Sequence, residues 1–388
     1  MEIKETIRLY DQDAYAVTFE AQVLACEPKE QQYEVILDQT MFFPEGGGQG
    51  PDLGTLDGET VMDVQIKDGV IRHTMENPIP VGSTVQGLVN WKHRFDYMQQ
   101  HSGEHIFSGL VHTHFGYRNV GFHLSDNIVT MDFDGVLSAE DVSRIEGEVN
   151  EVIVKNVPIS VCWPDSEQLE LMAYRSKMEI EGPVRIVTIQ GYDACACCAP
   201  HVRNTGEIGM FKVMSVQNYK GGVRISMLCG FRALQAFREK TQVITELMAV
   251  LTTNQERLVE SVSKMKLCNQ NMSAELAATR LELLNKKLET IPAEQTDVLV
   301  FEEGLDQRAI RGAVNALVEK YDGLCGIFNG NDKEGYRYIL ASRTRDCKEV
   351  AELLKTQLLA QGGGSSAMIQ GSVQATQIQL LECLKNKH

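Results

Sequence analysis

The chain has 388 residues, 43% of them hydrophobic and 23% charged, which suits two or three ordinary globular domains. No apolar run reaches the ~18–20 residues that span a bilayer, and the opening MEIKETIRLYDQD lacks the apolar core of a signal peptide. The net charge of -16 opposes a nucleic-acid partner, but residues 1–231 carry 17 basic and 33 acidic side chains and so hold all of it, leaving the rest neutral.

In chain order, residues 15–24 and 33–38 alternate apolar and polar side chains and read as strands, as do 60–66 and 84–91. The turn PEGGGQGPDLG (44–54) lies among them, so residues 1–90 form a small β-barrel-like domain. From Trp91 the period changes: Phe95, Met98, Ile106 and Leu110 follow helical spacing across 95–115. Further helices are expected at 139–155 and 166–178. Segments 208–216 and 223–230 flank the turn NYKGG as a hairpin. Residues 232–291 hold no Gly or Pro before Pro292 and read as one long helix, with Ile244, Leu251, Leu258, Met265 and Met272 every seven residues. The intervening row of Asn254, Ser261 and Cys268 is poor for a coiled-coil seam, so a one-sided spacer is preferred to a dimerising coil. Residues 292–388 alternate strands (298–304, 323–330, 336–343) with helices (306–320, 346–360) in a small α/β domain, ending in a glycine-rich loop (361–373) and a last helix. The fold class is α+β.

His101 and His105 leave one helical face a turn apart, as two ligands of one metal ion do. Cys197 and His201 repeat the spacing across a loop containing Pro200, and together the pairs match the tetrahedral N/S preference of Zn2+. The ten cysteines are too sparse for a disulfide framework, and the cluster Cys195, Cys197, Cys198 suggests metal chemistry in a reducing, cytoplasmic compartment. Cys195 and Cys198 are possible substitutes for Cys197, and His112, His114 and His123 are assigned to surface or packing. HSGEH also fits the HxxEH pattern of zinc peptidases, with Glu104 as base. A site closed by four protein ligands leaves no place for water, and Glu104 is then an ordinary helix residue.

These motifs resemble the freestanding alanyl-tRNA editing proteins (AlaX), relatives of the editing domain of alanyl-tRNA synthetase. HSGEH matches the family's HxxxH and CCAPH its CxxxH; FFPEGGGQGPDLG and HVRNTGEIGMFKV lie in the family's order. The similarity covers residues 1–231, and the GGGSSAMIQG segment extends it to the synthetase's carboxy-terminal parts, the long form. It implies an N-terminal β domain (1–90), a zinc editing domain (91–231), a long helical segment (232–291) and a C-terminal domain (292–388) for tRNA binding or dimerisation. It implies zinc held by His101, His105, Cys197 and His201, and hydrolysis of Ser-tRNA(Ala), with Gly-tRNA(Ala) as an open alternative. Aminoacylation is not expected. Gln49 is the candidate for contacting the serine hydroxyl, and Gly46, Gly47 and Gly48 for close approach of the terminal nucleotide. The chain departs from the family at Ala199-Pro200, where the synthetase has a Thr before the histidine. The rival readings are a zinc peptidase and a zinc-stabilised RNA-binding protein without activity. For tRNA affinity, Arg308, Arg311, Arg343 and Arg345 are expected to form a basic face beside 362–364.

Overall fold

The alternation in the first ninety residues becomes a barrel wall. After a two-residue β1 (Ile7–Arg8), strand β2 (Thr18–Lys29) buries Phe19, Ala21 and Val23 and exposes Thr18, Glu20 and Gln22 between them. Next come β3 (Gln32–Leu37) and β4 (Gln39–Thr40), the latter pairing in parallel with β1. β5 (Gly54–Leu56), β6 (Glu59–Lys67), β7 (Val70–Met75) and β8 (Thr84–Val89) complete a closed barrel in the order β2-β3-β7-β6-β5-β8. Closure leaves no unpaired sheet edge. Val35, Leu37, Phe42, Leu56, Val61 and Val85 are among the side chains that fill it. The structure is a computed structural model and describes residues 4–176 and 182–385.

Helix α1 (Trp91–Phe115) starts where the Asn90 side chain accepts the His93 N–H and stops at Gly116, whose φ is +72°. It is buried almost all round from Tyr97 to Val111, polar residues included. A central helix of that kind carries polar groups because neighbours satisfy them. Its first turn is tied to the barrel by a buried ion pair, with Arg94 Nε 2.8 Å from Asp52 Oδ1. Around it lie β9 (Asn119–Leu124), β10 (Val129–Phe133), α2 (Ala139–Lys155), β11 (Ile159–Cys162) and a short α3 (Ser166–Leu171). The helix expected over 166–178 ends at Leu171, and residues 177 and 178 lie outside the described residues. Then follow β12 (Ile186–Ile189), β13 (Asp193–Ala196), β14 (Phe211–Tyr219), β15 (Gly222–Cys229) and α4 (Gly230–Leu251). One sheet runs β14-β15-β10-β9 and another β11-β12-β13. Phe107, Phe133 and Phe211 pack in the core beneath α1.

The uninterrupted helix expected over 232–291 breaks. Thr252 turns left-handed (φ +49°), and the Asn254 side chain accepts the Arg257 N–H to start the chain again before α5 (Leu258–Glu289). An asparagine that caps a helix start is the break signal here, in the absence of Gly or Pro.

By contacts the chain divides into two units, Met1–Ile244 and Thr245–His388. The second holds α5, β16 (Val298–Glu302), α6 (Gln307–Lys320), β17 (Cys325–Asn331), β18 (Gly335–Ala341), α7 (Cys347–Leu358), β19 (Gln361–Gly364), β20 (Met368–Val373) and α8 (Gln377–Lys385). Its sheet order is β16-β17-β18-β20-β19, with only the β16–β17 pair parallel. The glycine-rich segment expected as a loop is a hairpin: Gly362, Gly363 and Gly364 form an exposed edge strand paired to β20. Gly362 lines a groove with Arg337 and Gln370, whereas Arg343 and Arg345 line another, and Arg345 also meets Asp297 at 3.2 Å. Among the described residues no helix is long and apolar enough to cross a membrane.

Candidate metal centre

Helical periodicity puts His101 and His105 on one face of α1, ring centroids 5.3 Å apart. The loop after β13 brings Cys197 and His201 against them. Arg185 holds that loop: its Nη1 donates to the Cys197 carbonyl at 2.8 Å and to the Ala199 carbonyl at 2.9 Å. Ala199 itself is buried in the barrel core. Pro200 is buried beside it.

The donor atoms converge. Cys197 Sγ lies 3.3 Å from His201 Nε2 and 3.6 Å from His101 Nε2, and the four ligand atoms all lie within 4.8 Å of one another. Tetrahedral zinc with bonds of ~2.0 Å to nitrogen and ~2.3 Å to sulfur sets those atoms ~3.5 Å apart. The donor set therefore fits zinc in chemistry and in spacing.

Each histidine is oriented through its other nitrogen. With Nε2 turned to the centre, His101 Nδ1–H donates to Gln49 Oε1 at 2.8 Å, His201 Nδ1–H to Ser102 Oγ at 2.9 Å, and His105 Nδ1–H to Asp193 Oδ2 at 2.9 Å. Such partners fix the tautomer of a metal-binding imidazole. All three rings are at least 95% buried. Burial, followed by the neighbouring His105 and His101, lowers the His201 pKa well below the usual range, so that ring is neutral. Burial also pushes the Cys197 thiol far up, and the adjacent Cys198 adds to the effect. A cation at the centre reverses that balance, because a thiolate is the ligand.

Of the two neighbouring thiols, Cys195 is buried in β13 and groups with His105 and Asp193, whereas Cys198 is exposed, with its Sγ beside the Gly46–Gly47 turn. His112, His114 and His123 are exposed and take no part, His114 meeting Glu148 at 2.7 Å.

The glycine turn is built for its place. Gly46 and Gln49 exchange both backbone hydrogen bonds at 3.0 Å around Gly47 (φ +62°) and Gly48 (φ +85°), a left-handed turn that glycines accept at little cost. A Cβ on Gly48 would lie 2.3 Å from the Phe122 carbonyl oxygen. The turn thereby docks on β9, with the Leu124 N–H donating to Gly48 O at 2.7 Å, and delivers Gln49 to His101. Gln49 is 1% exposed, and its Nε2 has no hydrogen-bond partner among the described residues. Its orienting bond to His101 is a role the sequence did not reveal.

Glu104 is not an ordinary helix residue. It is 1% exposed, and its Oε1 accepts Ser108 Oγ–H at 2.6 Å and Asn119 Nδ2–H at 2.5 Å. Its Oε2 lies 3.9 Å from His105 Nε2, at the border of the centre.

Three histidines and one cysteine converge between a closed barrel and a central helix, and two family models match parts of that region. The model described as threonyl and alanyl tRNA synthetase second additional domain matches residues 184–226, which include Cys197 and His201. The model for tRNA synthetases class II (A) matches residues 6–93. Over nearly its whole length the chain is homologous to the alanyl-tRNA editing proteins. It is 28% identical to alanyl-tRNA editing protein Aarsd1 of Mus musculus, covering 94% of this chain and 93% of that one. To alanyl-tRNA editing protein AlaX-L of Pyrococcus horikoshii it is 25% identical over 95% of each. A solved structure, the C-Ala domain from Aquifex aeolicus alanyl-tRNA synthetase, matches 23% of this chain and 84% of its own at 18% identity, with a TM-score of 0.21.

Proposed function

We propose that this chain is a trans-editing deacylase that removes serine from mischarged tRNA(Ala). The editing of mischarged tRNA(Ala) is supported by the full-length relatives named as alanyl-tRNA editing proteins. The observation that carries the reading is the convergence of His101, His105, Cys197 and His201 with every Nδ1 already engaged. These four side chains would hold one zinc ion, which, closed by four protein ligands, would organise the pocket and help to orient the ester between the amino acid and the terminal adenosine.

The chain's own residues supply recognition. An alanine-sized synthetase site rejects serine poorly, because an added hydroxyl is hard to exclude from a small pocket. A second site that hydrogen-bonds the hydroxyl separates the two. Gln49 is suited to that contact, because with Oε1 facing His101 its unpartnered Nε2 is left to donate to the serine oxygen. Gly47 and Gly48, exposed at the turn, let the terminal nucleotide come close to the backbone, with Gly46 half-buried beside them. Aminoacyl esters are labile, so positioning ester and water supplies much of the acceleration.

The peptidase alternative needs three ligands and an open position. Four converging donors favour the editing reading. In this reading residues 292–388, with Arg308, Arg311, Arg343 and Arg345, provide tRNA affinity. A homodimer through α5 is supported by exposed Val262, Met265, Met272 and Leu276. A cytoplasmic location accords with ten free cysteines.

The test is deacylation by the full chain of Ser-, Gly- and Ala-tRNA(Ala). Release of serine well above the spontaneous rate, with alanine retained, is expected, and the glycine arm sets the breadth of the substrate class. No acceleration on any of the three would leave only the binding role.

A further inference from the structure

The three imidazoles are not held alike. His101 faces a neutral amide and His201 a neutral hydroxyl, whereas His105 faces a carboxylate that is itself gripped by an arginine. Arg175 Nε donates to Asp193 Oδ1 at 2.7 Å and its Nη2 to Asp193 Oδ2 at 2.9 Å, a two-pronged pair. The Asp193 side chain is 1% exposed and that of Arg175 13%. Arg175 is also fixed along its backbone: its N–H donates to Ala194 O at 2.8 Å, and its carbonyl accepts from the Ala196 N–H at 2.9 Å.

Helix α1 makes room for this arm. Gly109 follows His105 by one turn on the same face, and a Cβ there would lie 2.3 Å from the Tyr192 carbonyl oxygen and 2.8 Å from Asp193 Cβ. The missing side chain lets the start of β13 lie against the helix, within reach of the ring. A carboxylate buried so deeply needs compensating charge. Burial disfavours its ionised form, but His105 and Arg175 outweigh that and hold the Asp193 carboxyl below its ordinary pKa.

We infer that Arg175 and Asp193 are positioning residues for the metal: the pair locks the tautomer and ring plane of His105 and thereby sets how tightly the centre holds zinc. Arg175 acts through Asp193, since its guanidinium meets the carboxylate and not the imidazole. The inference rests on the proposal that the centre holds zinc.

The experiment is competition of the full-length protein with a chromogenic chelator for zinc, in wild type, Asp193→Asn, Arg175→Ala and the double variant. Removing such a partner weakens metal binding by about 10–100-fold. Asp193→Asn should fall in that range and Arg175→Ala in the same direction. The double variant should lose no more than the larger single loss, because both act along one path. Melting of the zinc-free proteins gives the control: a merely structural role lowers it without this non-additivity in zinc affinity. Should Arg175→Ala not fold, Arg175→Lys decides, since it keeps the charge and loses the fork. Wild-type zinc affinity in the variants, or losses that simply multiply, would overturn the inference. A wild-type chain that takes up no zinc would instead sink the reading beneath it.

Discussion

Gln49 has two ends, and two substitutions separate them. Its Oε1 accepts from His101 Nδ1–H at 2.8 Å, while its buried Nε2 has no partner among the described residues. Gln49→Ala removes both ends and deletes the acceptor of the His101 Nδ1–H in a buried place, a loss worth about 1–3 kcal/mol. Zinc affinity should drop by roughly 10-fold or more. Gln49→Glu keeps an acceptor for His101 and deletes the donor, so zinc should bind at least as tightly. Discrimination should behave differently. A hydrogen bond to the serine hydroxyl is worth about 1 kcal/mol net, roughly five-fold in the ratio of Ser- to Ala-tRNA(Ala) hydrolysis. That ratio should fall in both variants, whereas zinc affinity falls only in Gln49→Ala. Chelator competition reads the first quantity and single-turnover deacylation the second. A Gln49→Glu protein with full zinc and an unchanged Ser/Ala ratio would refute the recognition role and leave Gln49 an orienting residue alone.

Gly48→Ala should be folded but impaired. Its φ of +85° and a Cβ 2.3 Å from the Phe122 carbonyl force the turn off β9, so zinc affinity should fall with deacylation, which the same competition assay measures. Glu104→Gln should keep zinc and lose less than the ~10²–10⁴-fold a general base contributes, because a glutamine oxygen still accepts from Ser108 and Asn119. His73 provides a pH test of the barrel. Burial lowers its pKa to about 4, only partly opposed by its bond to Val35 O, so folding excludes its proton. Its contribution is complete above the unfolded value near 6.5 and is lost as the pH falls from there to about 4, by up to about 3 kcal/mol. Chemical denaturation across that window should show the loss in wild type and a smaller one in His73→Gln.

Local signals were legible where short-range chemistry decides the structure. Helix α2 begins at Ser138, which accepts the Asp141 N–H while Asp141 returns the bond, and its span of 139–155 follows from that box and its apolar stripe. The hairpin around NYKGG and the paired four-residue spacings were equally readable. What failed was set at long range. Strands β11 and β12 are four residues each and exist through their partners. The glycines of 361–373 read as a loop because nothing local shows that β20 pairs with them. Gln49 meets His101 across 52 positions and Asp193 meets His105 across 88, so sequence could assign them a neighbourhood at most. A carboxylate four residues before Cys197 was the available signal for Asp193.

The centre itself is tested most directly by metal analysis of the purified full-length protein, prepared without chelators, beside His101→Ala and Cys197→Ala. One zinc per chain in wild type, falling sharply in both variants, is the predicted result, since each removes one of four converging donors. Wild-type protein with almost no zinc, or variants that retain a full equivalent, would contradict the assignment of His101, His105, Cys197 and His201 as its ligands.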